Sequence, residues 1–126
     1  MASFTFEHEG SEQTFVFNWI TDDQASRLLG NSRPKELQKI YESDSYWLPI
    51  FQAWCNEKGY GQLYNDWMDD PDGDARSALK KAGPRGDLRD DFYTDLGTVK
   101  YCIRQHSIYS GEAGDNILNE FNLGPL

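Results

Sequence analysis

Residues 3–9 read Ser-Phe-Thr-Phe-Glu-His-Glu, and residues 13–19 read Gln-Thr-Phe-Val-Phe-Asn-Trp. Phe4 and Phe6 share one side of the first run, and Phe15, Phe17 and Trp19 share one side of the second. Alternation of rings with polar residues is the period of a β-strand, whose successive side chains leave on opposite faces. Gly10 and Ser11 lie between the runs. Two alternating runs around a Gly-containing connection predict an antiparallel hairpin. A lone hairpin is marginal in water. Its ring face therefore needs a cover, and the helices that follow are the expected source.

Helical signals begin at once. Thr21-Asp22-Asp23-Gln24 is a capping-box pattern, and its two acids suit a helix N-terminus; the helix should stop at Gly30. Ser32-Arg33-Pro34 is expected to open a second helix carrying Leu37, Ile40 and Tyr41. Ser43-Asp44-Ser45 would cap a third, in which Trp47, Ile50, Phe51 and Trp54 form one stripe that ends before Gly59. Further helices are expected over 61–70, over 74–82 and from Asp87, the last closed by Gly97. Asp70-Pro71-Asp72-Gly73 reads as a turn, Gly83-Pro84-Arg85-Gly86 as a loop, and 115–121 as a final short helix. Residues 98–109 fit a strand through Val99, Tyr101 and Ile103, or a helix through Val99, Cys102, Ile103 and His106. The expected fold is α+β: an N-terminal antiparallel β-hairpin (3–19) packed on a mostly helical body (21–122), in a single compact domain over 1–126.

Composition supports a folded chain with a core of rings. Seven Phe, seven Tyr and four Trp occur in 126 residues, whereas disordered acidic proteins lack such residues. The formal net charge is −9, beyond the roughly 2–8 that keeps a small domain soluble. Every Lys and Arg lies between Arg27 and Arg104, so both ends are purely acidic. Such a surface repels nucleic acid and attracts basic partners. Cys55 and Cys102 make no disulfide framework and read as buried thiols. With no signal-peptide pattern and no apolar run of membrane-spanning length, a cytoplasmic, non-membrane protein is expected.

Motifs for chemistry are weak. A calcium loop started at Asp70 finds Asp72 and Asp74 in place, but Ala75 stands where Gly is required and Lys81 where Glu is required. Cys102 and His106, with Cys55 and His8, have zinc-ligand types but no zinc-site spacing. A catalytic thiol needs a cationic, partly exposed setting that neither cysteine's context offers. Lys80, Lys81, Arg85 and Arg89 form a basic cluster interrupted by Asp87, Asp90 and Asp91. It reads as a source of local ion pairs, not a nucleic-acid site. No metal, cofactor or catalytic residue is expected.

The most suggestive feature is an acidic knot. Asp66, Asp69, Asp70, Asp72 and Asp74 surround Trp67, with Tyr64 upstream. Carboxylates steer a basic partner, and large rings anchor it. Asp66, Trp67, Asp69, Asp70, Asp72, Asp74 and Tyr64 are therefore the expected partner-binding residues. The corresponding function is that of a non-enzymatic acidic protein that blocks a basic surface of a nucleic-acid-handling protein or complex, such as a nuclease. By analogy of charge and size, phage anti-defence inhibitors and immunity-type proteins act in this manner, some as nucleic-acid mimics. The alternatives are a small assembly or adaptor protein that binds through apolar contacts, and a small hydrolase with an unrecognised carboxylate site.

Overall fold

Glu9 and Gly10 turn the hairpin with φ of 53° and 85°. Two consecutive left-handed residues give the two-residue turn whose twist matches that of paired strands. The computed structural model describes residues 1–43 and 45–110. In it β1 (Ala2–His8) pairs antiparallel with β2 (Ser11–Phe17). The helices are α1 (Asp22–Leu28), α2 (Leu37–Glu42), α3 (Trp47–Lys58), α4 (Gly61–Asp69), α5 (Asp74–Lys81) and α6 (Leu88–Ser110). The fold is α+β, a two-stranded hairpin followed by helices. The expected helix at 115–121 and the Asp44 part of a cap lie outside the described residues. Packing divides the described residues into two compact units: 1–32 with 96–110, and Arg33–Asp95.

The first unit is organised by the hairpin rings. Register places Phe4 opposite Phe15 and Phe6 opposite Gln13, so Phe4, Phe6, Phe15 and Phe17 share a face. Phe6 stacks on Phe15 with centroids 5.0 Å apart, and Phe4 meets Phe17 at 6.2 Å. The cover comes from α6, where Tyr101 meets Phe6 edge-on at 6.0 Å and His106 meets Phe4 at 6.2 Å. His106 Nδ1 also lies 2.8 Å from the Thr5 carbonyl. A carbonyl can only accept, so Nδ1 carries the proton. Thr21 caps α1 through the expected box: its Oγ1 accepts from Gln24 N at 3.1 Å, and Gln24 Oε1 accepts from Thr21 N at 2.9 Å.

The second unit is centred on α3. The Phe51 ring meets Phe92 at 5.0 Å, Trp67 at 5.9 Å, Tyr64 at 6.0 Å and Trp54 at 6.1 Å. At the start of α3 the amides of Tyr46, Trp47 and Leu48 all point to the Ser43 carbonyl, and the N-cap residue Tyr46 supplies no side-chain capping bond. At its end Gly59 adopts φ 88°, while Tyr60 N donates to Cys55 O at 2.7 Å. This left-handed closure favours glycine. α2 starts at Leu37 and not at Pro34. The Lys35 carbonyl is taken by the Arg89 guanidinium at 2.8 Å, and Glu36 is extended.

Gly97 does not close the helix that Asp87 begins. α6 continues through it to Ser110, so 98–109 is helical and adds no strand to the hairpin. Leu88, Phe92, Leu96, Val99 and Cys102 are all buried and form one stripe across the glycine. That burial outweighs the penalty of about 1 kcal/mol for an interior Gly. Among the described residues no helix is long and apolar enough to cross a membrane.

Candidate functional site

α4 is two-sided. Tyr64 and Trp67 turn inward and are 4% and 1% exposed, whereas Asp66 and Asp69 face solvent. Asp70 ends the helix, the chain turns through a Gly73 N to Asp70 O bond of 3.1 Å, and Asp74 opens α5. Asp70, Asp72 and Asp74 are exposed as well. The sequence thus strings Asp66, Asp69, Asp70, Asp72 and Asp74 along one helix–turn–helix segment. A Cβ at Gly73 would meet the Asp70 carboxylate, an exposed side chain that would have to turn aside.

The rings expected to anchor a partner are not at this surface. Trp67 packs on Tyr41 at 5.7 Å and on Tyr64 at 5.8 Å, besides its contact with Phe51. The inward stripe of α4 consumes both rings, and a side chain filling the core is not offered to a partner. The carboxylates alone remain on the outside. Asp66 accepts from Gln62 Nε2 at 2.9 Å. Among the described residues none of these acids has a cation at ion-pair distance.

Some acids elsewhere in the second unit are matched, whereas Glu36, Glu57 and Asp90 have no cation at ion-pair distance among the described residues. Asp87 holds the Arg89 guanidinium at 2.8 Å, Asp91 meets Arg85 at 3.4 Å, and Asp95 meets Lys58 at 3.4 Å. The hydrogen bond from Arg89 holds the Asp87 carboxyl below its ordinary value, against the opposing effect of burial. The basic residues grouped by sequence have different surroundings. Arg85 turns to Asp91, Lys81 is exposed, and Lys80 and Arg89 line a cleft with Arg76. Arg76 had a readable signal, since it sits four residues before Lys80 on one face of α5.

A second cleft, of about 370 Å³, contains Trp54, Tyr60, Asp91 and Asp95. Trp54 Nε1 donates to Asp95 Oδ2 at 2.8 Å, and Asp91 Oδ2 is buried with no hydrogen-bond partner among the described residues. Sequence reading takes Asp91 only as an acid interrupting the basic cluster and does not single out Asp95. Their signal was a place four residues apart, flanking the Leu88–Phe92–Leu96 stripe.

Among the described residues no group of three or more His, Cys, Asp or Glu side chains is arranged to hold a metal ion. Residues 74–81 form α5, so the positions where a calcium loop would coil are helical. Burial pushes the Cys102 thiol up to about 11 and the Cys55 thiol higher still, which keeps both protonated at neutral pH. Comparison with protein families, with curated proteins and with solved structures yields no match.

Proposed function

We propose that this chain is a non-enzymatic acidic binding protein that blocks a basic surface on another protein. One observation carries the reading. The carboxylates of residues 66–74 are exposed, gathered on one helix–turn–helix segment, and unmatched by any cation at ion-pair distance among the described residues. Unmatched surface charge steers an oppositely charged partner and raises its on-rate. The partner class that fits is a protein whose own basic surface tracks phosphates, such as a nuclease. In that case Asp66, Asp69, Asp70, Asp72 and Asp74 stand where phosphates would. Trp67 and Tyr64 support the ridge from beneath and do not touch the partner.

The test is affinity capture from the native host, identification of what is retained, and titration of that complex. A basic nucleic-acid-handling protein should be retained and should weaken steeply with ionic strength. Asp69→Lys/Asp70→Lys should weaken it at least about tenfold, as like charges meet across the contact. Unchanged affinity in that variant removes the ridge from the interface. Val16 and Ile108, 50% and 55% exposed, favour the second reading, an adaptor docking through apolar side chains. A complex indifferent to salt supports it.

A further inference from the structure

The cleft between the start of α2 and α5 is cationic, although the protein as a whole is not. It encloses about 340 Å³ and brings Arg76, Lys80 and Arg89 to one recess, with Ser77 and a single lining carboxylate, Asp72. We propose that this cleft binds a small phosphate ester, with the phosphate on the cations and a hydroxyl or amino group of the ligand on Asp72.

Arg89 arrives pre-oriented. Its Nε and Nη2 donate to Asp87 at 3.2 and 2.8 Å, and its Nη1 donates to the Lys35 carbonyl at 2.8 Å. A guanidinium carries five N–H donors. The fork is thus held by its neighbours with donors left over, and little ordering remains to be done on binding. Arg76 and Lys80 differ. They sit one turn apart on α5, a like-charged spacing that repels, and among the described residues neither meets a carboxylate at ion-pair distance. An anion seated between them relieves that repulsion. Asp72 shares the recess without pairing to either.

The ligand is small because of what surrounds the recess. Asp70 and Asp74 flank it in sequence and are exposed, and the net charge is −9. A polyanion would meet those carboxylates, whereas a single phosphate inside the cleft meets the cations first. Asp72 selects for a donor group beside the phosphate and disfavours a bare dicarboxylate.

Titration of the full chain with glycerol phosphate, followed by backbone amide shifts and calorimetry, tests the assignment. Saturable binding is expected, with shifts centred on Arg76, Ser77 and Lys80. Arg76→Ala/Lys80→Ala should weaken it at least about tenfold through loss of charge-assisted bonds. Lys81→Ala, next door but outside the recess, should change it less than about twofold, as screened general attraction does. Lys80 is exposed, so Lys80→Ala alone keeps the test open should the double variant fail to fold. No saturable binding, or an equal loss in Lys81→Ala, overturns the site. Succinate binding as tightly as glycerol phosphate overturns the ligand class.

Discussion

Trp54 is 1% exposed, yet its indole N–H leaves the ring core to reach Asp95 Oδ2 at 2.8 Å. Asp95 in turn holds Lys58 at 3.4 Å. A buried N–H without a partner costs about 1–3 kcal/mol. Asp95→Ala should therefore lower stability by about that much, while Asp95→Asn, which keeps an acceptor oxygen, should lose less. Denaturant titration reads both as a shifted midpoint at constant slope. The place of Trp54 in the core was legible from the spacing of Trp47, Ile50, Phe51 and Trp54. Its partner was not, because 41 residues separate them and no local pattern links a ring to a distant acid. Trp67 shows the complementary error. Neighbouring acids made it look like a surface anchor, but helical phase, shared with Tyr64, puts it inside.

Local signals served best for the elements. The Thr21 box, the Gly59 stop and the turn at 70–73 act within a few residues, and each appears where the chain announced it. Gly97 was misread because a glycine signals a stop only when the apolar stripe stops with it, and here the stripe runs on to Cys102. Gly97 is exposed, and a Cβ added there meets nothing within 4 Å. Gly97→Ala should thus stabilise the protein by about 0.5–1 kcal/mol, through helix propensity and a less free unfolded chain. Gly59→Ala should act in the opposite sense by about 1 kcal/mol, since φ is 88° there. Thermal unfolding of the pair, measured side by side, checks both signs.

For the molecule as a whole, alkaline pH is the informative stress. Burial pushes Tyr64 and Tyr93 up to about 12 and Cys102 up to about 11, with Cys55 shifted the same way. Groups raised in the folded state keep their full contribution below the unfolded values, 9.0 for Cys and 10.0 for Tyr, and lose it as pH climbs through the folded ones. The melting temperature should hold to about pH 9 and then fall. Asp87 works at the other end: its lowered value supplies stability above its ordinary 3.8 that is lost as pH drops further. Fold class was legible at this scale because alternation and helical period are global patterns. The cationic cleft was not, since Arg76 and Arg89 meet only through tertiary structure. The order of synthesis adds a consequence. Residues 33–95 form a unit contiguous in the chain and can condense as they leave the ribosome. The hairpin segment emerges first, but its rings wait for Tyr101 and His106, so the nascent protein carries uncovered aromatic side chains until almost all of α6 has been made. That interval is when a chaperone would be needed most.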